Sequence, residues 1–127
     1  MKKHLLTILF LLLAFASRAD VYDDITQAIR EGSARKIGTF ISSNIELNLQ
    51  SKGNKCTKAE AETLLKDFFV QNQPKSFVII HQGTSKEGAR YAIGTFVSEQ
   101  GTSFRTYFFV KQNAGKSSIQ ELRFEKE

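Results

Sequence analysis

The chain has 127 residues with a formal charge of +5, one Cys, one Pro and no Trp. A hydrophobic content of 41% over that length fits one cored domain and excludes a disordered chain. A single Cys excludes an intrachain disulfide and an all-Cys metal site.

Residues 1–19 read MKKHLLTILFLLLAFASRA. Lys2 and Lys3 form a basic start, Leu5 to Ala16 is apolar except for Thr7, and the small residues Ser17 and Ala19 follow. These are the three parts of a secretory signal peptide. The 12-residue apolar run falls short of the roughly 20 residues a spanning helix needs. Cleavage is expected after Ala19, leaving residues 20–127 as a single domain, periplasmic or secreted, with no membrane span. Loss of Lys2, Lys3 and Arg18 lowers Lys+Arg from 18 to 15 against 13 Asp+Glu, so the net charge falls to +2. The remaining cations are dispersed among acids and make no clustered basic stripe, so no nucleic-acid partner is expected. Cys56 becomes the lone thiol of an exported chain. It stands just before a helix, as a semi-buried structural residue, a reactive thiol or one half of an intermolecular disulfide.

Asp20–Glu31 carries Val21, Ile25, Ala28 and Ile29 at the spacing of an amphipathic helix. Asp20, Asp23 and Asp24 suit its first turn, and Gly32 ends it. Ser33 caps a second short helix, Ala34–Ile41. Asn44–Gln50 alternates, with Ile45, Leu47 and Leu49 on one side, and reads as a half-buried strand. Ser51–Lys55 reads as a turn. Thr57-Lys58-Ala59-Glu60 is a capping box, and behind it Ala61, Leu64, Leu65, Phe68 and Phe69 form the apolar stripe of a third helix, which Pro74 ends. Four strands follow: Lys75–Gln82, Ala89–Ser98, Thr102–Lys111 and Lys116–Lys126. Their connectors are rich in turn residues, which predicts a sequential antiparallel meander. The order ααβαββββ is an α+β fold, a curved antiparallel sheet covered on one face by three helices.

This order resembles the nuclear-transport-factor-2-like superfamily, a cystatin-like cone in which three helices close over a concave sheet, often around a pocket. The second half adds Leu65-Lys66-Asp67-Phe68-Phe69, Pro74-Lys75-Ser76-Phe77, His81-Gln82-Gly83 and Tyr91-Ala92-Ile93-Gly94-Thr95. Phe104-Arg105-Thr106-Tyr107-Phe108 and Leu122-Arg123-Phe124-Glu125-Lys126 complete the set. Together these motifs resemble domain of unknown function 4783, a family of small exported proteins, over nearly all of the mature chain. The resemblance implies the superfamily fold and no particular activity.

A two-residue hairpin loop at Gln100-Gly101 pairs Val97 with Phe104, Thr95 with Thr106, Ile93 with Phe108 and Tyr91 with Val110. These side chains then share the face under the helices, joined by Phe77, Ile79 and His81, with His81 beside Tyr91. The opposite face carries Ala92, Gly94, Phe96, Arg105, Tyr107, Phe109 and Lys111, with Arg105 stacked on Phe96. So aromatic a face suggests an interface. Phe96, Arg105, Tyr107 and Phe109 would form a sheet-to-sheet homodimer, the alternatives being a face covered by the chain's own terminus or a semi-exposed aromatic ladder. Whether Arg123 or Phe124 points inward is open by one residue of register.

The resemblance implies that pocket enzymes of this superfamily use a buried carboxylate, a His–Asp pair, or a Tyr with a protonated acid. A carboxylate base must sit in the cavity. No Asp follows Asp67, Glu46 and Glu99 fall on polar sides or in a turn, and Glu121 faces inward in only one register. His81 is the sole histidine of the mature chain and has no acid to orient it. His81 and Cys56 lack metal-ligand spacing, and no glycine run makes a phosphate loop. No catalytic residue, metal or cofactor is therefore expected. The main expectation is a non-catalytic exported module that binds itself or another envelope or extracellular protein. A second reading is a binder of a small apolar or amphipathic ligand in the cone, through His81, Tyr91, Thr95 and Thr106. A third is an isomerase- or hydrolase-type pocket enzyme using His81, Tyr91 and Glu121. A ring-filled cone would count against the last two, and a roomy cavity lined by His81 and Tyr91 would support them.

Overall fold

The computed structural model describes residues 20–50, 52–85 and 88–127. The expected signal peptide, residues 1–19, lies outside them. The elements are α1 (Val21–Glu31), α2 (Ala34–Gly38), β1 (Asn44–Leu49), β2 (Lys52–Thr57), α3 (Lys58–Gln71), β3 (Pro74–Thr84), β4 (Arg90–Ser98), β5 (Ser103–Asn113) and β6 (Lys116–Lys126). The strands form one mixed sheet in the order β2-β1-β6-β5-β4-β3. Only β1 and β6 run parallel among the described pairs.

The helix ends follow from local chemistry. The Asp20 carboxylate accepts the Tyr22 N–H and starts α1. Gly32 ends it, donating to the last carbonyls. Ser33 accepts from the Lys36 N–H and opens α2, which is shorter than expected and ends at Gly38. Ile41 is still buried beyond it. Thr57 and Glu60 close the capping box of α3.

The segment read as a turn after β1 is instead strand β2, paired antiparallel with β1 from Leu49–Lys52 to Asn44–Thr57. Its residues, KGNKCT, carry no hydrophobic alternation because this is a sheet edge, where polar and charged side chains face solvent. Cys56 is its buried side chain, 3% exposed, with Sγ donating to the Asn54 carbonyl at 3.6 Å.

The β4–β5 register also differs from expectation. The Ser98 N–H bonds the Thr102 carbonyl and the Gly101 N–H bonds the Ser98 carbonyl, both at 2.9 Å. Gly101 takes φ +88°. The loop thus holds Glu99, Gln100 and Gly101, the three-residue form whose last residue is left-handed and favours glycine. One extra loop residue moves β4 by one position, and with a side-chain period of two this turns the whole strand over. Phe96 pairs with Phe104, Gly94 with Thr106 and Ala92 with Phe108, all facing the helices. Tyr91, Ile93, Thr95 and Val97 face outward. Gly94 has the Phe77 ring over it; an added Cβ would lie 2.7 Å from a ring carbon. On β6 a register shift at Phe109/Val110 leaves Ile119, Leu122 and Phe124 inward, and Arg123 and Glu121 outward.

Seven Phe side chains are buried in the core, and Phe68 of α3 stands among four of the others. Its ring centroid lies 4.7 Å from Phe124, 5.3 Å from Phe104, 5.6 Å from Phe69 and 6.0 Å from Phe96. Ile25 and Ile29 of α1, Ile37 of α2 and Leu65 of α3 close the other side, each fully buried. The expected stripe of α3 is buried except at Leu64, which is 39% exposed.

Phe68→Ala should lower the unfolding free energy by about 3–5 kcal/mol, the range for deleting a buried aromatic ring. Thr57→Ala should cost about 1 kcal/mol through loss of the cap. Urea titrations check both, with a shift in midpoint and an unchanged slope. Burial pushes the Cys56 thiol up, and the Glu60 carboxylate adds in the same direction. The native chain then holds the thiol proton after the unfolded chain has lost it, near pH 8.5. Stability contributed by that proton is present below this pH and falls as pH rises toward the native value. Urea unfolding from pH 7 to 10 should show a steeper decline for the native sequence than for Cys56→Ser, and a thiol reagent should label Cys56 slowly until the chain unfolds.

Candidate functional site

The concave side of the sheet is closed by rings, so the polar groups with room to act stand elsewhere. The strand register sets the outer face in rows, since directly paired residues share a face. One row runs Gly83, Tyr91, Phe109, Glu121, Glu46, Lys55. The next runs His81, Ile93, Tyr107, Arg123, Asn48, and a third Val78, Thr95, Arg105, Glu125. The result is a band of half-buried Tyr91, Ile93, Tyr107 and Phe109, bordered by charge. Val78 and Ile80 extend it at the β3 margin, 53% and 67% exposed.

The charges are ordered around this band. Arg123 donates to Glu121 and holds its guanidinium carbon 5.3 Å from the Tyr107 ring centre, a cation–π contact. Burial pushes the Tyr107 phenol up, Glu121 adds to the shift and Arg123 opposes it. Tyr107 is thus neutral at physiological pH. At the other margin His81 Nε2 and the Tyr91 hydroxyl are 3.1 Å apart. Behind them Tyr22, whose phenol is also raised by burial, donates to the Gly83 carbonyl at 2.9 Å.

The expected ligand set does not converge. His81 and Tyr91 do meet, but on the outer face, with His81 exposed rather than inside the cone. Thr95 lies on that same face between Val78 and Arg105. Thr106 lies on the opposite face, fully buried, with its hydroxyl 3.4 Å from the Phe104 carbonyl. Of the expected interface set, Arg105, Tyr107 and Phe109 share the outer face. Phe96 does not: it is fully buried with Phe68, Phe104 and Phe124 around it, so Arg105 has no Phe96 ring to stack on. A two-residue loop sets Tyr91 and Ile93 under the helices; the three-residue loop turns both outward, beside Phe109 and Tyr107. The Gly at its third position was the available signal. Glu121 faces outward on Arg123, away from the cone.

Two clefts among the described residues border this surface. One of about 790 Å³ opens between residues 39–46 and the β5–β6 hairpin, lined by Phe40, Asn44, Phe109, Gln112, Ser118 and Glu121 among others. The second, about 610 Å³, lies between α1 and β3. The ring cluster lines neither. Among the described residues no three His, Cys, Asp or Glu side chains group as metal ligands. No helix among them is long and apolar enough to cross a membrane.

Comparison with known proteins places this geometry. No curated protein matches the chain. A DUF4783 family protein from Bacteroides uniformis ATCC 8492 is 25% identical, with a TM-score of 0.78 over 85% of this chain and 98% of that one. A second, from Bacteroides ovatus ATCC 8483, is 25% identical, with a TM-score of 0.76 over 82% and 93%. An NTF-2 like protein of unknown function from Silicibacter pomeroyi shares the fold at 9% identity, with a TM-score of 0.60 over 100% and 99%. The family profile described as "Domain of unknown function (DUF4783)" matches residues 22–125. The chain belongs to the DUF4783 family and has the nuclear-transport-factor-2-like fold.

Proposed function

We propose that this protein is an exported, non-catalytic self-association module that pairs with a second copy through the outer face of its sheet. One observation carries the reading. The concave face, where this fold has its pocket, is packed with rings, while an aromatic and aliphatic band is left half-exposed on the convex face. A filled cone leaves no room there for a small ligand or a reacting carbonyl, which argues against both pocket readings.

The band also has the make-up of a face that meets its own copy. A two-fold axis brings the same patch from both copies together, so the patch must be self-complementary. Here apolar and aromatic side chains lie at the centre, and Arg105 and Arg123 share the rim with Glu46, Glu121 and Glu125. Acids and bases thus stand side by side on the rim, as a patch that meets its own copy requires. Export rests on the three-part N-terminal segment, residues 1–19, and fits a domain with no disulfide requirement and a buried Cys56.

Light scattering on residues 20–127 at tens of micromolar should give the mass of a dimer. Tyr107→Ala and Ile93→Glu should each weaken association at least tenfold, about 1.4 kcal/mol or more, with unchanged circular dichroism. A monomer at that concentration, indifferent to Tyr107→Ala, would refute the reading. Mass analysis of the full-length protein expressed in a bacterium with an outer membrane should find a chain beginning at Asp20 outside the cytoplasm.

A further inference from the structure

We propose that the groove between α1 and the edge of β3 accepts an extended segment of a partner protein as an added strand, basic at its start and acidic at its end. This groove meets the convex band at Val78 and Ile80 but is centred on the strand edge, and the inference does not rest on self-association.

β3 is the last strand of the sheet, and among the described strands only β4 pairs with it. An unpaired strand edge offers a row of backbone donors and acceptors to an incoming chain. Natural edges are usually blunted by being short, charged or covered. β3 is 11 residues long, and past Pro74 and Lys75 its first half carries no further charge or proline until His81. Among the described residues, helix α1 makes two side-chain hydrogen bonds to this edge. Arg30 Nε donates to the Phe77 carbonyl, and the Tyr22 hydroxyl donates to the Gly83 carbonyl, each at 2.9 Å. Between these two pins the stretch from Val78 to Gln82 lines the 610 Å³ groove, faced by Asp23, Thr26, Gln27 and Arg30 of α1. Five residues of strand span about 17 Å at roughly 3.3 Å each, the length of a short added strand.

Two further features point to a polypeptide occupant. Thr26 is 6% exposed and lines the groove, yet its Oγ1 has no hydrogen-bond partner. A buried hydroxyl left unpaired is costly, and a backbone group of an added strand would supply the partner. Val78 and Ile80 stand exposed along the same edge, offering apolar neighbours to alternate side chains of that strand.

Charge sets the direction. The two pins show that α1 runs antiparallel to β3: Arg30 lies by Phe77, and Tyr22 by Gly83. Asp23 therefore marks the Gly83 end of the groove and Arg30 the Phe77 end. With its Nε engaged, Arg30 still has two nitrogens for a carboxylate. A segment antiparallel to β3 enters at the Gly83 end, so a basic residue first and an acidic residue last match both charges. We take the occupant to be a partner: a second copy pairing through its own β3, PKSFVIIHQGT, would set no acid against Arg30.

The test uses residues 20–127 and three blocked heptapeptides of alternating Val and Thr. One has Lys first and Glu last, one has the two exchanged, and one is the first with alternate amides N-methylated. The first peptide should shift and protect from exchange the amides of residues 78–82 in NMR spectra. The exchanged peptide should bind about tenfold more weakly, the N-methylated one not at all, and Arg30→Glu should lessen or reverse the preference between the first two. No binding of the first peptide at millimolar concentration, equal binding of all three, or shifts confined to the convex face would overturn the proposal. Dissociation of a dimer by the first peptide would also overturn it, by assigning the β3 edge to a second copy. A monomer that binds the peptide as described would leave this proposal standing while refuting self-association.

Discussion

The Phe68 ring, carried by α3 into the hollow of the sheet, is the contact on which the rest of the molecule depends. It lies within 6.0 Å, centre to centre, of Phe69, Phe96, Phe104 and Phe124. Tilted and edge-on ring contacts of this kind add to the large apolar area that aromatic side chains bury. With a single Cys in the sequence and no cluster of metal-ligating side chains among the described residues, a domain of this size leans on its core. The ring cluster supplies that core from four elements, α3, β4, β5 and β6. The same rings fill the concave side of the sheet between α3 and strands β4, β5 and β6.

What the surface offers is set by loop length. Because the hairpin after Ser98 has three residues and not two, β4 presents Phe96 inward and Tyr91 and Ile93 outward. The inward Phe96 completes the ring cluster. The outward pair joins Tyr107 and Phe109 in a band that Arg123 and Glu121 border. Core and candidate interface are therefore two results of one turn, and a residue inserted there would exchange them. The edge of β3 is shaped by a different element. Helix α1 pins it at Phe77 and Gly83 and leaves the strand between the pins open.

Much of the fold was legible in the residues. Caps at Asp20, Ser33 and Thr57, and the stop at Gly32, are local hydrogen-bond chemistry and hold wherever the chain goes. The helical spacing of Ile25, Ala28 and Ile29, and of Ala61, Leu65, Phe68 and Phe69, marks buried faces because period alone determines them. β2 was not legible: an edge strand with one buried side chain has no alternation to display. Nor was the parallel pairing of β1 with β6, which joins segments some 75 residues apart in the chain. Of the candidate site, Arg105, Tyr107 and Phe109 were correctly set on one face. His81 and Tyr91 were correctly set side by side but on the wrong side of the sheet, since a pairing survives a change of face that a burial does not.

By itself, then, the sequence determined the helices, the meander and the kind of side chain that fills the interior, because these follow from local hydrogen bonding and periodicity, while its motifs carried the resemblance to the family. Only the tertiary structure decided which face of β4 is core, that the cone is filled, and that α1 leaves the middle of the β3 edge open. Those outcomes depend on strand register and on contacts between distant segments. One residue of register, with a side-chain period of two, is enough to turn a predicted pocket lining into an outer surface.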